Sequence, residues 1–372
     1  MTTYYNPVKI ILGDFDQAIA AIQENLGQTE HALLVTTPGM EARGEIATFC
    51  AKLPKTQFYI QKIASQPDLD DLDSQINQLL AENITPSWVI AYGGGSVMDA
   101  AKVYALALTH RLNSPLDRWL RQKEARTKAP LPLICLPSTA GTGSEVTPFA
   151  TIWDHKLMCK HSLAGNDLFP KIAIECPQLT YSLPPKLTLY GALDALSHVL
   201  EIHWNQTTTF MSGIHARSAF RMLSNTFPAL FETTTQNRCA LQLAAMLAGL
   251  AISQSHTSLA HAMSYPLSLH FGVPHGLACS AFLPFIVKLV IKEKAWSIEP
   301  PREALFLLGH IFETLQLNQD VYNYCSQKDI EQCVPEMLQN SRANTFTLKI
   351  DQDTLLKIVQ DFETTRYFNF LV

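Results

Sequence analysis

Two stretches of the sequence place acidic and imidazole side chains at spacings that could hold a metal ion. In "DALSHVLEIH" (194–203), Asp194 and His198 lie four positions apart, so on a helix they project from one face, one turn apart. Their neighbours are apolar, and a buried acid and a neutral imidazole are costly to desolvate unless something holds them. Two explanations fit this stretch. The two side chains hydrogen-bond to each other or to backbone, or they ligate a metal.

The second stretch, "LAHAMSYPLSLHFGVPHG" (259–276), adds two more histidines. His261 lies on an apolar helical run and His275 lies in a Pro-His-Gly turn. One carboxylate with three imidazoles would form a site suited to Zn²⁺ or Fe²⁺. The chain contains 12 histidines, so such a set can also arise by chance. From these residues alone, both explanations stay open.

Two loops have the composition of a site for a phosphorylated cofactor. In "AYGGGSVMDAAK" (91–102), three glycines follow an apolar strand and precede a helix, so backbone N–H groups could contact a pyrophosphate. A tight strand-to-helix turn would use the same glycines. In "PSTAGTGSEVTPF" (137–149), crowded hydroxyl side chains could donate to phosphate or amide groups. Serine and threonine also favour capped loop starts, so the second loop has an alternative explanation too.

The elements that must position these residues change type along the chain. Predicted strands at 31–37, 56–63, 87–92 and 131–138 alternate with predicted helices at 41–53, 68–83 and 97–110. This alternation predicts a parallel sheet with crossover helices. From about residue 184, long stretches rich in Ala, Leu and Met dominate. We therefore expect an α/β domain over residues 1–183 and a helical domain over residues 184–372.

The overall composition is typical of a globular enzyme. A chain of 372 residues is long for one core, and its 47% hydrophobic and 16% charged residues argue against disorder. A net charge of −5 gives no basis for binding nucleic acid. The eight cysteines form no CxxC pair, which favours reduced thiols in a cytoplasm. We see no export signal, and the longest apolar run, "LACSAFLPFIVKLVI", is predicted to be a core helix and not a membrane span.

Taken together, these motifs resemble the iron-containing (group III) alcohol dehydrogenase family. The family's GGGSxxDxAK pattern is matched from Gly93 to Lys102, and its TxGTxSEVT pattern is matched by "TAGTGSEVT" from Thr139. The resemblance covers nearly the whole chain. It implies four metal ligands, which come from a DAxxHxxE helix, an LAHA-type helix and the PHG turn: Asp194, His198, His261 and His275.

The resemblance also implies the fold and the activity. The fold would be an N-terminal dinucleotide-binding α/β domain with a parallel sheet and an all-α C-terminal domain, with the site in the cleft. The activity would be hydride transfer between NAD(H) or NADP(H) and an alcohol/aldehyde pair, with Fe²⁺ or Zn²⁺ polarising the carbonyl oxygen. We expect a homodimer or higher homo-oligomer. The expected cofactor contacts are Thr37, Gly94, Gly95, Ser96, Asp99, Ser138, Thr139, Thr142 and Lys160.

Two positions depart from the family pattern. Many members have a second histidine four residues after the third ligand, where this chain has Tyr265. A tyrosine hydroxyl has an ordinary pKa of about 10 and is a poorer proton shuttle at neutral pH. His270 is the nearest substitute, so Tyr265 and His270 are the expected catalytic residues. NAD-preferring members often have Asp after the first βα strand, where this chain has Thr37. The sequence therefore allows NADPH as well as NADH as the cofactor, and Arg43 would help to bind NADPH.

Other activities of related proteins also have to be considered. A dehydroquinate synthase-like lyase would need a cluster of cations for its polyanionic substrate, but the region 184–275 has only Lys186, Arg217, Arg221 and Arg238. Maleylacetate reductases usually lack the full ligand set. A metal-binding protein without redox activity would fail to oxidise NAD(P)H with any aldehyde. The segments "YYNPVKIILG" and "AGTGSEVTPFATIWD" are similar to the subgroup that reduces phosphonoacetaldehyde to 2-hydroxyethylphosphonate.

Overall fold

The computed structural model describes residues 4–27, 31–315 and 317–364 of the chain. The described residues form two compact units. One contains residues 6–139 and 144–183 and carries every strand found in the described residues. The other contains residues 4–5, 140–143 and 184–364 and is helical. We call them the α/β unit and the helical unit.

The α/β unit is built on six parallel strands and an antiparallel hairpin. The hairpin strands are β6 (Phe149–Asp154) and β7 (Cys159–Ala164). The sheet strands are β1 (Lys9–Leu12), β2 (His31–Thr36), β3 (Gln57–Lys62), β4 (Trp88–Gly93), β5 (Leu133–Pro137) and β8 (Ile172–Glu175). Their order in the sheet is β1-β8-β5-β4-β2-β3, and every pairing is parallel. The predicted parallel sheet is confirmed.

The strand order reverses direction between β2 and β4. Strand β3 lies outside β2 on one side, while β5, β8 and β1 follow β4 on the other. Ligands of open α/β sheets bind beyond the carboxyl ends of the strands at such a reversal. Thr37 directly follows β2, Gly94 follows β4, and Ser138 follows β5. Three of the loops that carry predicted cofactor residues therefore lie on the expected edge of the sheet.

The helices of the α/β unit begin where the sequence offers capping residues. Asp14 and Gln17 form a reciprocal capping box at α1, and Asp68 accepts hydrogen bonds from two backbone N–H groups of α4. The helix predicted over 41–53 is instead two helices, because Gly44 between them adopts φ 75°. The helices are α1 (Phe15–Leu26), α2 (Pro38–Ala42), α3 (Glu45–Ala51), α4 (Leu69–Ala81) and α5 (Gly95–His110).

The helical unit packs around α6, which is buried from Thr188 to His203 apart from Gly191. Pro185 occupies the first position of α6, where a missing N–H costs nothing. The helices are α6 (Pro185–His203), α7 (Phe210–Thr226), α8 (Thr235–Ser255), α9 (Leu259–Phe271), α10 (His275–Ala281), α11 (Leu283–Glu293), α12 (Arg302–Thr314), α13 (Leu317–Tyr322), α14 (Gln327–Gln332), α15 (Val334–Gln339) and α16 (Gln352–Thr364). The predicted helical second half is confirmed.

The apolar run over α10 and α11 was predicted to be one core helix. It is interrupted at Phe282, since Pro284 at the second position of α11 cannot donate to the preceding turn. Among the described residues, this run is the one segment that is long and apolar enough to cross a membrane, and its mean hydropathy is 1.5. However, 72% of the 18-residue stretch that gives this value is buried inside the protein, as expected for a core helix.

Candidate metal centre and cofactor loops

The structure brings the four predicted metal ligands together within the helical unit. Asp194 and His198 project from α6, His261 projects from α9, and His275 is the first residue of α10. Asp194 Oδ1 lies 3.7 Å from His198 Nε2 and 3.6 Å from His261 Nε2. The same oxygen lies 3.8 Å from His275 Nε2. These separations are longer than hydrogen bonds, so the acid is not simply paired with one histidine.

The spacing of these atoms fits a shared cation. Two ligand atoms, each about 2.1 Å from a metal and at a tetrahedral angle, lie about 3.4 Å apart. In addition, Asp194 Oδ1 and His261 Nε2 are buried and have no hydrogen-bond partner among the described residues. Leaving such groups unpaired is costly. A divalent cation would satisfy them, so the geometry favours the metal explanation over a hydrogen-bonded Asp–His pair.

The electrostatics of the cluster favour a positive charge. Burial alone would raise the pKa of Asp194, but the charges of His198, His275 and His261 outweigh it and hold this pKa well below its usual range. Burial would lower the pKa of His275, but negative charge at Cys279 and Asp194 raises it to about 9. Burial dominates at His198 and lowers its pKa to about 4, so this imidazole is charged in acid and neutral near pH 7. The cluster thus holds a proton on His275 near pH 7, and a divalent cation would take the place of that positive charge.

Glu201, seven residues after Asp194 on α6, orients one of the ligands. Its Oε2 accepts a hydrogen bond from His261 Nδ1 at 2.6 Å, and its Oε1 accepts from the His261 backbone N–H at 3.1 Å. This leaves His261 Nε2 directed at Asp194. A carboxylate behind a metal-ligating histidine fixes its tautomer and orientation. No role for Glu201 is predicted from the sequence, although it is the last residue of the DAxxHxxE pattern and a third buried polar residue on one face of an apolar helix.

A glycine allows the close approach of α10 to α6. A Cβ atom at Gly276 would overlap the carbonyl oxygen of Tyr190 and lie 3.3 Å from Asp194 Cβ. Only glycine fits there without a shift of backbone. Because His275 precedes Gly276, this contact sets how near the His275 ring comes to Asp194.

Of the two predicted catalytic residues, the structure places only Tyr265 beside the ligands. Its ring is nearly parallel to that of His275, with centroids 6.1 Å apart, and lies edge-on to His261 at 6.4 Å. His270 follows His261 by nine residues, which is half a turn out of phase on a helix. Its Nε2 lies 2.7 Å from Glu336 Oε2, and none of its described contacts reaches the ligands.

The glycine turn after β4 leaves room for a ligand to approach the backbone. Gly94 precedes α5 in an extended conformation, and Gly95 is the first residue of that helix. A Cβ atom at Gly94 would lie 3.1 Å from the side chain of Thr139, so the two predicted loops adjoin here. Ser96 donates a hydrogen bond from Oγ to the Ser65 carbonyl. The first N–H groups of α5 have no partners within the helix and can bind an anion.

The acid and the lysine of the glycine motif hold the second loop in place. Lys102 is fully buried, and its Nζ donates to Ser144 Oγ at 2.8 Å and to the Phe149 carbonyl at 2.6 Å. Asp99 accepts from Ser144 Oγ at 2.6 Å and from the Thr151 N–H at 2.8 Å. Burial lowers the pKa of Lys102, although the nearby Asp99 charge opposes this. Lys102 and Asp99 therefore join α5 to residues 144–151.

The remaining predicted cofactor residues lie in separate segments. Thr37 caps α2 with its side-chain oxygen, and the backbone N–H of Ser138 bonds to the last residue of β4. Lys160 lies on the hairpin strand β7. Thr142 belongs to residues 140–143 of the helical unit. Within the α/β unit, the structure thus brings Thr37, Ser138 and the glycine turn to one sheet edge.

Two family models match the chain. The model described as "Iron-containing alcohol dehydrogenase" matches residues 7–177. The model described as "Fe-containing alcohol dehydrogenase family, C-terminal" matches residues 188–339. Together the two models cover most of the sequence, and the second spans all four predicted metal ligands.

Individual relatives add detail. The phosphonoacetaldehyde reductase of Streptomyces viridochromogenes is 36% identical over 234 residues, which is 61% of this chain and 58% of that protein. The NADPH-dependent butanol dehydrogenase of Clostridium saccharobutylicum is 30% identical over 238 residues, which is 63% of this chain and 61% of that protein. The chain therefore matches less than two thirds of the length of these relatives. The crystal structure of sulfoacetaldehyde reductase from Bifidobacterium kashiwanohense in complex with NAD⁺ is 25% identical, covers 98% of this chain and 99% of that one, and has a TM-score of 0.83.

Proposed function

This chain belongs to the iron-containing alcohol dehydrogenase family, and we propose that it transfers a hydride between NAD(P)H and an alcohol/aldehyde pair. The observation that carries the proposal is the cluster of Asp194, His198, His261 and His275, in which the three histidine Nε2 atoms lie 3.6 to 3.8 Å from Asp194 Oδ1. Asp194 Oδ1 and His261 Nε2 are also buried without a hydrogen-bond partner among the described residues. Fe²⁺ or Zn²⁺ bound there would polarise a carbonyl oxygen and stabilise an alkoxide. The NAD⁺-bound sulfoacetaldehyde reductase of the same fold supports a nicotinamide cofactor.

The α/β unit supplies what a dinucleotide needs. The N-terminus of α5 at Gly94 and Gly95 would bind the pyrophosphate, at the reversal of strand order between β2 and β4. The contacts of Lys102 and Asp99 with residues 144–151 hold the adjoining loop in place. Thr37, after β2, would face the ribose of the adenosine half. The other proposed contacts are Ser96, Asp99, Ser138, Thr139, Thr142 and Lys160.

The substrate we propose is a short aldehyde that bears an anionic head group, with phosphonoacetaldehyde first. The support is the 36% identity to a phosphonoacetaldehyde reductase and the fold shared with a sulfoacetaldehyde reductase. The test is an assay of NADH and NADPH oxidation after loading with Fe²⁺ or Zn²⁺, over phosphonoacetaldehyde, sulfoacetaldehyde, butanal and propanal. We expect the anionic aldehydes to give the highest kcat/KM. Turnover of none of these aldehydes with either cofactor would contradict the proposed activity.

We further propose that the protein acts in the cytoplasm as a homo-oligomer. None of the eight cysteines, all of which lie in the described residues, forms a disulfide, which fits a reducing compartment. Light scattering coupled to size exclusion would measure the mass, and a monomer at micromolar concentration would contradict the oligomer.

Tyr265 is the residue that we expect to deliver the proton. It lies on α9 one turn after His261, with its ring beside those of His261 and His275. Reduction of an aldehyde leaves an alkoxide that needs a proton before the alcohol departs, and a positioned acid typically contributes about 10² to 10⁴ in rate. We expect Tyr265→Phe to lower kcat roughly tenfold or more with metal content unchanged.

Tyr322→Phe is the matched control, because the Tyr322 hydroxyl bonds to Gln327 on α14 and makes no described contact with the ligands. Its kcat should equal that of the wild type. A Tyr265→Phe variant with wild-type kcat would assign proton delivery to water instead.

Thr37 is expected to set the choice between NADH and NADPH. Its hydroxyl caps α2 by accepting from the Met40 N–H at 3.2 Å, and aspartate is an equally good cap, so Thr37→Asp should fold normally. A carboxylate there would accept from the ribose 2′-hydroxyl and repel a 2′-phosphate. We expect the ratio of kcat/KM for NADH to that for NADPH to rise at least about tenfold, which corresponds to about 1.4 kcal/mol.

Thr37→Ser keeps the cap without adding charge, and its cofactor ratio should stay unchanged. An unchanged ratio in Thr37→Asp would mean that residue 37 does not face the ribose.

A further inference from the structure

A cysteine lies within reach of the same cation. Cys279 follows His275 by four residues, so both side chains project from one face of α10. Its Sγ is fully buried and lies 3.5 Å from His275 Nε2 and 3.6 Å from His275 Nδ1, within hydrogen-bond distance of both ring nitrogens. Potential ligand atoms of Asp194, His261, His275 and Cys279 all lie within 4.8 Å of one another.

The sulfur distance has the value expected for two ligands of one metal. A metal–sulfur bond of about 2.3 Å and a metal–nitrogen bond of about 2.1 Å, at the angles of about 90 to 120° found in a five-coordinate site, place the two ligand atoms about 3.1 to 3.8 Å apart. The second observation is that Asp194 Oδ1 and His261 Nε2 are buried without a hydrogen-bond partner among the described residues. Both residues belong to the same 4.8 Å group as Cys279, so the unpaired atoms and the sulfur border one potential cation position.

We propose that Cys279 is a sulfur ligand of the metal, in addition to Asp194 and the three histidines. This inference rests on the proposed metal site. A thiolate is a soft donor, and thiolates favour Zn²⁺ over the harder divalent ions. With Asp194 it would supply a second negative charge, so that the site with a divalent cation is neutral overall. The sulfur ligand therefore biases this site toward Zn²⁺ relative to Fe²⁺.

The test is substitution with Co²⁺, whose spectrum reports sulfur ligation without any need for turnover. The purified full-length protein is stripped of metal, loaded with Co²⁺ and quantified for bound cobalt. We expect a sulfur-to-cobalt charge-transfer band in the near ultraviolet, which Cys279→Ser loses while it still binds cobalt. Cys333→Ser is the matched control, because Cys333 is a buried thiol of the same unit with no described contact to the cluster. It should keep the band.

A second measurement needs no variant. X-ray absorption of the Zn²⁺-loaded wild type should require one sulfur at about 2.3 Å in the first coordination shell. In titrations, Cys279→Ser should weaken Zn²⁺ binding at least about tenfold and anaerobic Fe²⁺ binding by a smaller factor. Bound cobalt without the charge-transfer band, or zinc with nitrogen and oxygen neighbours only, would overturn the sulfur ligand and leave the metal site standing. Failure to bind any of the three ions would overturn the metal site and the sulfur ligand together.

Discussion

The His261→Ala variant should lose most of its bound metal and all measurable turnover. His261 Nε2 lies 3.6 Å from Asp194 Oδ1, and its Nδ1 is held by Glu201 at 2.6 Å, so it is the best-oriented ligand of the cluster. The substitution removes one ligand and also leaves the Glu201 carboxylate buried without its imidazole partner. Loss of a supporting residue behind a ligand already costs about 10 to 100-fold in metal affinity. Loss of the ligand itself should cost more.

Metal content measured by mass spectrometry, together with NAD(P)H oxidation, tests this expectation. His310→Ala is the control, since His310 is an exposed histidine on α12. It should keep wild-type metal content and rate. Full occupancy and turnover in His261→Ala would mean that the cluster is not the metal site.

The Gly276→Ala variant should be strongly destabilised and should also bind metal poorly. Its new methyl group would overlap the Tyr190 carbonyl oxygen, which belongs to the backbone of α6 and cannot rotate away. The overlap can be removed only if α10 moves away from α6, and His275 would move with α10. Overpacking of this kind typically costs about 1–3 kcal/mol, and a contact with backbone falls at the upper end. We therefore expect a loss of about 3 kcal/mol in the free energy of unfolding.

Gly213→Ala is the control for the effect of adding a methyl group to a helix. Gly213 lies on α7, and its new methyl would meet the terminal Cδ1 of Ile298 at 2.6 Å, which a rotation of that side chain can relieve. The higher helix propensity of alanine, about 1 kcal/mol, should offset most of the crowding. Urea unfolding of both variants without added metal separates the packing effect from the metal effect. Equal stability of Gly276→Ala and the wild type would show that the two helices can separate freely.

The architecture could be predicted because its longer elements carry clear patterns. The strands β2 to β5 are apolar runs bounded by turn residues, and the structure places each within a residue or two of the expected range. The strands β1 and β8 have four residues each, too few for a pattern to emerge. The hairpin strand β7 reads "CKHSLA", whose polar residues conceal it.

Only part of the candidate site could be predicted from the sequence. The spacing of Asp194 and His198 could not distinguish a metal from a local hydrogen bond, and only the family resemblance favoured the metal. Glu201 is the last residue of the DAxxHxxE pattern, but its role could not be predicted because its partner His261 lies on another helix 60 residues away, a contact that no local pattern encodes. Cys279 escaped notice because cysteines were judged by the absence of CxxC pairs. The position of His270 follows from helical phase, so counting residues from His261 would have placed it away from the ligands.

The buried ligand atoms also bear on how much of the protein a cell retains. Without a cation, Asp194 Oδ1 and His261 Nε2 stay unpaired in the core, and such groups cost about 1–3 kcal/mol each. An ion that binds only the folded state stabilises it by RT ln(1 + [M]/Kd), about 2.7 kcal/mol at a hundredfold excess over Kd. In a cell, destabilisation of this size increases the fraction of molecules that open and are degraded by proteases. The steady-state level of this protein should therefore follow the supply of free metal even when its rate of synthesis is constant.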